Sequence, residues 1–328
     1  MEKFQINNWK LAHIMHSDFI KSDCYPLTKE EIEISGFEIL DATVPGNFEL
    51  DFIKAKKLPE DIYFGENILE VQKLESTHLW YFAEFDLIDN GKDAFILFEG
   101  IDTAAEIFID GEFVDFCENM LIPYEFSLSE FEIGKHQVVV HIIPASVYVR
   151  DIPFDSNCRG QKYNVDSLLI RKAPYMYGWD IMPRTVSAGL WRPVSIVYKN
   201  KDRFEDYRIY TNHIEDSTAK MTADIRIFTD KDDLRDFTVN IKGVCGESTF
   251  EHNHQLYSVN AKIHFDIENA KLWWPKNHGE QNLYDTTFTL LYKGEEVDSV
   301  TLKVGVRFYV RLGQTIIKRK NYASEKSQ

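Results

Sequence analysis

The chain has 328 residues, a length that favours two domains, each large enough to bury its own core. Hydrophobic residues make up 44% of the sequence and charged residues 27%, which argues against a disordered or membrane-embedded chain. There are 37 Lys and Arg against 53 Asp and Glu, and the resulting net charge of −16 disfavours nucleic acids and anionic membrane surfaces as partners.

The amino-terminal residues carry no recognisable targeting segment. They contain no apolar run of signal-peptide length, and nowhere in the chain do 18 uninterrupted apolar residues occur. We therefore expect a soluble protein that is cytoplasmic, or secreted or periplasmic if a signal peptide was removed. The four cysteines form no CxxC pair, so the sequence predicts reduced thiols and neither a zinc ribbon nor a dense disulfide framework.

The first predicted elements are a short helix and a β-hairpin. Residues 28–40 contain a helical stretch, and the Pro-Gly pair within residues 42–47 indicates a turn. Residues 79–88 are aromatic and β-branched and predict a strand, Asn90-Gly91 is typical of a two-residue turn, and the apolar residues 94–98 predict a returning strand. We therefore expect these two strands to form a hairpin.

A second hairpin is predicted over residues 105–116, around Asp110-Gly111, because this pair tolerates the positive φ values of tight turns. A strand at 137–143 follows, and then residues 144–189 show few periodic runs. Irregular stretches of this length inside compact domains are usually functional. Residues 190–198 predict the strand that closes the first unit.

The polar run at 199–206 is typical of a domain boundary. A second β unit is predicted after it, with Lys293-Gly294 as one of its turns. Its predicted strands lie at 221–228, 237–241, 262–265, 286–292 and 299–306. Short alternating strands at this density indicate an immunoglobulin-like sandwich.

Seven stretches, taken together, resemble the non-catalytic front domains of glycoside hydrolase family 2, and the β-mannosidases most closely. They are ATVPGN at 42–47, STHLWYFAEF at 76–85, FEGIDTAAEIFIDGEFV at 98–114, RKAPYMYGWDIMP at 171–183, GLWRPV at 189–194, LWWPKNHGEQNLY at 272–284 and VGVR at 304–307. They occur in the order that the family has and cover nearly the whole chain.

The resemblance implies an all-β fold with two domains. Residues 1–200 would form a jelly-roll, galactose-binding-like β-sandwich, residues 201–312 an immunoglobulin-like β-sandwich, and residues 313–328 a mobile polar tail. In the family a TIM barrel follows and carries the two catalytic carboxylates. Such a barrel needs about 250 residues, so we expect no catalytic residue in this chain and no hydrolysis by it alone.

The predicted function is therefore the non-catalytic N-terminal portion of a retaining β-mannosidase-like hydrolase. Its expected partners are a β-mannoside and a catalytic barrel domain. Two alternatives stay open: a free-standing carbohydrate-binding module, or a structural subunit that docks on a separate barrel. The front domains alone do not separate mannoside from galactoside or glucuronide specificity.

The resemblance assigns sugar contacts to Trp179 and Asp180, and Arg171 is a further candidate for substrate binding. An indole face stacks on the C–H face of a pyranose, and a carboxylate accepts hydrogen bonds from two neighbouring hydroxyls. The competing interpretation makes Trp179 a core aromatic and Asp180 a turn residue before Pro183. The family commonly has an aromatic and a Gly where this chain has Ile181-Met182, so one stacking surface is absent.

The remaining aromatic and histidine motifs predict structure and not chemistry. We interpret Trp273-Trp274 as packing residues and Trp80 and Trp191 as core residues. Two sets of side chains have a spacing that a metal could use, His13 and His16 with Asp18, and His252 with His254. Neither set has a third ligand clearly in place. We therefore expect neither a metal nor a cofactor.

Overall fold

The protein is represented by a computed structural model that describes residues 2–153 and 165–308, together with the backbone of residues 310–312 and 315–317. It divides into two compact units, Met1–Lys199 and Asn200–Gln328. Among the helices of the described ranges, none has the length and apolar composition required to span a membrane.

The first unit is built from two antiparallel sheets. Its strands are β1 Glu2–Gln5, β2 Lys10–Met15, β3 Glu38–Asp41, β4 Thr77–Leu87, β5 Asp93–Phe98, β6 Ala104–Ile109, β7 Glu112–Cys117, β8 Tyr124–Ser127, β9 Gly134–Ile143 and β10 Val194–Lys199. The larger sheet has the order β3-β2-β4-β9-β6-β7, and the smaller sheet has the order β1-β10-β5-β8.

The core of the first unit lies between these sheets. Leu79 and Tyr81 of β4, Ile96 of β5 and Ile196 of β10 are all buried in it. Because alternate residues of a strand point to opposite faces, the residues between them must be covered from the other side. The outer face of the larger sheet therefore has a second core, which includes Trp80.

The first unit also contains short helices, which pack against its cores. Their bounds are α1 His16–Ser22, α2 Lys29–Ile34, α3 Phe48–Lys54, α4 Ile68–Gln72 and α5 Ala145–Tyr148. The helix predicted within residues 28–40 is α2. It begins at a capping box, in which Thr28 accepts a hydrogen bond from the Glu31 amide and Glu31 accepts one from the Thr28 amide.

The hairpin predicted from β4 and β5 is wrong. Strand β4 pairs with β2 and β9, whereas β5 pairs with β10 and β8 in the other sheet. The connection through Asn90-Gly91 crosses from one sheet of the sandwich to the other. Burial of an apolar face against the opposite sheet therefore outweighed the local turn preference.

The second predicted hairpin is confirmed, because β6 and β7 pair directly around Asp110 and Gly111. Both residues have positive φ, 51° and 86°, as a tight two-residue turn requires. The irregular stretch predicted at 144–189 contains only α5 and three short 3₁₀ turns within its described residues, Val149–Asp151, Val165–Leu168 and Pro174–Tyr177.

The second unit is a sandwich of a three-stranded and a four-stranded sheet. Its strands are β11 Arg203–Glu215, β12 Thr218–Phe228, β13 Phe237–Cys245, β14 Ser248–Gln255, β15 Asn260–Ile267, β16 Tyr284–Tyr292, β17 Glu295–Val304, β18 Val310–Leu312 and β19 Thr315–Ile317. The sheet orders are β11-β12-β15 and β14-β13-β16-β17, while β18 pairs with β19. Buried residues of both sheets, among them Ile225 and Phe288, form one core.

The five strands predicted in the second unit are present, and Lys293-Gly294 turns between β16 and β17. Four strands, β11, β14, β18 and β19, escaped prediction. Strand β11 begins inside the polar run that we interpreted as a boundary, and β14 contains mostly polar residues. The segment 313–328, expected to be a mobile tail, contains β19, and the rest of it lies outside the described residues. The predicted fold class, two all-β sandwiches in series, is confirmed.

Candidate functional site

The sequence Gly178-Trp179-Asp180 forms an exposed tight turn in the irregular stretch. The amide of Trp179 donates to the carbonyl of Met182 at 3.0 Å, and the amide of Met182 donates to the carbonyl of Trp179 at 3.1 Å. Asp180 and Ile181 are therefore the two central residues of the turn. Trp179 is 64% exposed and Ile181 is 87% exposed, so the turn presents apolar side chains and one carboxylate to solvent.

A buried ion pair holds the polypeptide before this turn. The Lys172 ammonium lies 2.5 Å from Oδ1 of Asp102 and also donates to the carbonyl of Ser187, and both charged side chains are almost fully buried. A buried carboxylate and ammonium persist only when they are paired and hydrogen-bonded. Lys172 is thus a structural anchor of this segment.

A second ion pair holds the polypeptide after the turn. The Arg184 guanidinium contacts Glu75 through two bonds, Nε to Oε1 at 2.8 Å and Nη2 to Oε2 at 2.7 Å. The same guanidinium lies over the ring of Tyr177, 5.3 Å from its centroid. Since bidentate pairs fix both distance and orientation, the exposed turn has a rigid base on both sides.

Three of the family-like stretches meet at Gly189. The amide and carbonyl of Gly189 exchange hydrogen bonds with Asp102 at 3.1 and 2.9 Å, and Gly46 donates to Leu190 at 2.9 Å. A Cβ on Gly189 would lie 2.8 Å from the Gly46 carbonyl oxygen and from Cα of Asn47, and its φ is +153°. Only glycine therefore allows the chains to approach this closely.

A groove lies between the segment 47–63, which includes α3, and the segment 175–187, which carries the turn. Its volume is about 650 Å³, and it is lined by apolar side chains, two tyrosine rings, three carboxylates and short polar groups. Glu49 lines it from α3 and is only 3% exposed. Its Oε2 accepts a hydrogen bond from the Ser187 hydroxyl at 2.7 Å.

The second oxygen of Glu49, Oε1, is buried and has no hydrogen-bond partner among the described residues. Burial raises the pKa of Glu49 to about 7, and the Ser187 hydrogen bond and the Lys172 charge oppose this shift only in part. The groove therefore contains a carboxyl group that titrates near neutral pH and has an unused acceptor.

The predicted site residues are only partly brought together. Trp179 and Asp180 share the turn, and Trp179 is exposed, which contradicts the interpretation of this indole as a core residue. Arg171 lies at the start of the segment, where its carbonyl accepts from the Met120 amide at 3.0 Å. Its side chain is exposed and makes no ion pair with any described residue.

Glu49 and Ser187 were missed by sequence reasoning. Glu49 belongs to the stretch Phe48-Glu49-Leu50-Asp51-Phe52, in which acidic and apolar residues alternate at the start of a helix capped by Asn47. A carboxylate in the first turn of a helix is ordinarily exposed and interacts favourably with the helix dipole. Its burial depends on a residue 138 positions away, and no local signal reports that contact.

The other tryptophans interpreted from the sequence are only in part core residues. Trp80 is fully buried, as expected for a core residue. Trp191 precedes β10 and is only half-buried; its indole N–H donates to the Met120 carbonyl at 3.1 Å, so the assignment to a core strand is wrong. Trp274 lies so close to Gly279 that a Cβ there would be 2.5 Å from the indole, which supports its packing role.

A chain of histidines lies on the outer face of the larger sheet. His16 contacts His78 at 3.0 Å, His78 contacts His141 at 2.9 Å, and His141 contacts Oε2 of Glu106 at 2.9 Å. Burial lowers the pKa of His78 to about 3. Within the described residues, no group of three or more His, Cys, Asp or Glu side chains is arranged to hold a metal ion.

Comparison with known proteins agrees with this architecture. The model of the glycosyl hydrolase 2 galactose-binding domain-like family matches residues 25–192, and the model of glycosyl hydrolases family 2 matches residues 203–307. All strand ladders among the described residues are antiparallel, whereas a TIM barrel is parallel. The described residues therefore contain no such barrel.

Curated relatives include two fungal proteins named β-mannosidase B. The protein from Aspergillus clavatus is 28% identical over 277 residues, which cover 80% of this chain and 32% of the relative. The protein from Thermothelomyces thermophilus is 28% identical over 273 residues, with 80% and 31% covered. The chain thus spans about a third of the length of these relatives.

Solved structures of similar fold match nearly the whole chain. The β-D-mannosidase from Dictyoglomus thermophilum matches with a TM-score of 0.76 and 26% identity, over 94% of this chain and 37% of that one. A β-glucuronidase from Bifidobacterium dentium matches with a TM-score of 0.67 and 17% identity, which shows the fold alone. The chain belongs to glycosyl hydrolase family 2 and contains the galactose-binding-like and immunoglobulin-like domains of that family.

Proposed function

We propose that this chain is the non-catalytic, substrate-contacting part of a retaining β-mannosidase-like glycoside hydrolase. In this proposal the turn at Trp179 and Asp180 forms one wall of the sugar subsite. A catalytic barrel domain supplies the two carboxylates that a retaining mechanism requires. The observation that carries the proposal is one rigid turn with an exposed indole and a carboxylate that pairs with no described residue.

The chemistry of the turn suits a pyranose. The indole face of Trp179 can stack on the C–H groups of a sugar ring. The Asp180 carboxylate makes no hydrogen bond or ion pair with any described residue, so its oxygens are available to two sugar hydroxyls. Two positioning residues hold the chain through ion pairs on either side of the turn, Lys172 before it and Arg184 after it. A preformed site of this kind avoids the entropic cost of ordering a loop on binding.

The exposed apolar side chains around the turn support the proposal that another domain covers this face in the whole enzyme. Tyr63 and Tyr175 line one groove with Met182 and are 68% and 60% exposed, and Phe64 is 74% exposed. Large apolar side chains that cluster at the surface mark ligand or protein contacts. The mannosidase names of relatives at 26–28% identity favour a mannoside over the other sugars of the family.

Titration of the chain with β-1,4-mannobiose, followed by tryptophan emission, tests the proposal. Trp179 is the only one of the six tryptophans, all of them described, that is exposed. A sugar that stacks on it should change the emission with saturation in the millimolar range, because half of a site gives weak binding. Trp179→Ala and Asp180→Ala should abolish the change.

The control is Tyr257→Ala, which removes an aromatic ring that is 75% exposed in the second unit. This variant should respond to mannobiose as the wild-type chain does. Equal responses from the wild type, Trp179→Ala and Asp180→Ala would contradict the assignment of the turn, and so would an unchanged emission at about 20 mM sugar.

A further inference from the structure

The groove beside the Trp179 turn contains a buried acceptor that no described residue uses. Glu49 is 97% removed from solvent, and its Oε1 has no hydrogen-bond partner among the described residues although Oε2 accepts from Ser187. A buried polar atom without a partner costs free energy that a suitable donor recovers. The groove therefore has a built place for a hydrogen-bond donor.

The positive charge nearest to Glu49 is already committed. The Lys172 ammonium bonds to Asp102 and to the Ser187 carbonyl. The residues that line the groove include no Lys, Arg or His. A ligand that carries a carboxylate would therefore find no cationic partner among the lining residues, and the carboxylates of Glu60 and Asp61 would repel it.

The other two carboxylates of the groove are exposed, and one of them is engaged. Oδ1 of Asp61 accepts from the amide of Tyr63 at 2.9 Å and so stabilises the loop. Glu60 is exposed to solvent, where a carboxylate is well hydrated. Glu49 is thus the one carboxylate of the groove that is both buried and partly unsatisfied.

The walls of the groove offer flat apolar surfaces. The rings of Tyr63 and Tyr175 are 68% and 60% exposed, and Leu50 and Met182 line the same groove. The polar groups beside them are the hydroxyls of Thr185 and Ser187. Aromatic faces combined with a few fixed acceptors suit a ring that carries hydroxyl donors on an apolar C–H face.

We propose that this groove is a second sugar subsite, which takes a neutral pyranose through Glu49 and the Tyr63 and Tyr175 rings and excludes uronic acids. The proposal rests on the proposed function, because it adds a subsite next to the turn at Trp179. It also makes Glu49 a specificity residue. A hydroxyl of the bound sugar donates to Oε1, while Ser187 continues to donate to Oε2.

Calorimetric titration of the whole chain tests the proposal with two matched ligands, methyl β-D-glucoside and methyl β-D-glucuronide. They differ only in the carboxylate, so the ratio of their affinities measures the exclusion. The neutral glycoside should bind at least about 10-fold more tightly, as expected when a charged group enters a site without a counter-ion. Glucosamine, which is cationic, should not bind more than 10-fold more tightly than the neutral glycoside.

Two variants assign the subsite. Glu49→Gln keeps an oxygen for Ser187 and replaces the free acceptor by an amide, and it should weaken binding of the neutral glycoside about 10-fold and reduce the exclusion of the glucuronide. Tyr63→Ala removes an exposed ring without touching the core and should also weaken binding. A cooperative transition in the melting curve of each variant is the control that the variant is folded.

The outcomes separate this proposal from the proposed function. Loss of mannobiose binding in Trp179→Ala, with unchanged binding in both Glu49→Gln and Tyr63→Ala, would overturn the subsite and leave the turn in place. Loss in Glu49→Gln but not in Trp179→Ala would refute the role of the turn and leave the groove as a sugar site. Equal affinity for glucoside and glucuronide, binding of glucosamine more than about 10-fold tighter than that of the neutral glycoside, or binding of no ligand would overturn the subsite.

Discussion

Replacing Lys172 by methionine should destabilise the first unit far more than the small change in side-chain volume suggests. The side chain of Lys172 is 1% exposed, and that of its partner Asp102 is 4% exposed. The methionine side chain fills a similar space but leaves the Ser187 carbonyl without its donor and the Asp102 carboxylate without its counter-ion, with only the Thr103 hydroxyl still donating to it. A buried ion pair that loses one partner costs about 3–5 kcal/mol.

The double variant Lys172→Met, Asp102→Asn tests the reason for that loss. It removes the isolated charge and leaves one carbonyl without a donor, which costs about 1–3 kcal/mol. We therefore expect the double variant to be more stable than Lys172→Met by about 2 kcal/mol. The matched control is Lys10→Met. Its ion pair with Asp41 is exposed, 51% and 89%, so water screens it and its loss should change stability little.

Urea denaturation followed by tryptophan emission measures these differences, since four of the six tryptophans lie in the first unit. The midpoint and slope of the transition give the change in the free energy of unfolding. A loss below about 1 kcal/mol for Lys172→Met would refute the argument. So would a double variant that is no more stable than the single one, because the unpaired charge would then not be the cause.

Three further predictions address other parts of the first unit. Burial raises the pKa of Glu49 to about 7, above its unfolded value near 4.5. The stability that Glu49 contributes should therefore be fully present below pH 4.5 and should fall by roughly 3 kcal/mol of unfolding free energy as the pH rises to about 7. Glu49→Gln should remove this pH dependence from melting curves recorded between about pH 4 and 8. Gly189→Ala should lower the free energy of unfolding by several kcal/mol in chemical denaturation, because its Cβ would lie 2.8 Å from backbone atoms. Gly36→Ala, whose Cβ would have no atom within 4 Å, should lower it by about 1 kcal/mol. Equal losses in the two variants would contradict the packing argument. Trp179→Ala should change the free energy of unfolding by less than about 0.5 kcal/mol, because this indole is exposed. Trp80→Ala, at a fully buried indole, should lower it by about 3–5 kcal/mol. A large loss of stability in Trp179→Ala would show that Trp179 packs in the core.

Much of the fold could be predicted because turns and strands depend on neighbours in the sequence. The Asp110-Gly111 hairpin follows from two residues that accept positive φ between two alternating strands. The same argument failed at Asn90-Gly91, where the flanking strands belong to different sheets. Turn chemistry reports how the chain bends, but the burial of whole faces decides which strands pair.

The candidate site was predictable only at its exposed tip. The Gly-Trp-Asp sequence carries a family resemblance, and its role as a sugar contact remains a prediction. The sequence did not indicate that Lys172 is buried, because its partner Asp102 lies 70 positions earlier. The same holds for Glu49, which the helix dipole argument would place at the surface.

The sequence by itself determined the family, the all-β class and the short turns, since each of these depends on residue order or on contacts between close neighbours. Only the tertiary structure decided which strands share a sheet, that one lysine is an internal anchor, and that a carboxyl group lines a groove with an unused oxygen. The physical reason is desolvation. Whether a charge lies in water or in the interior depends on residues far apart in the chain, and that environment sets its pKa and its need for a partner.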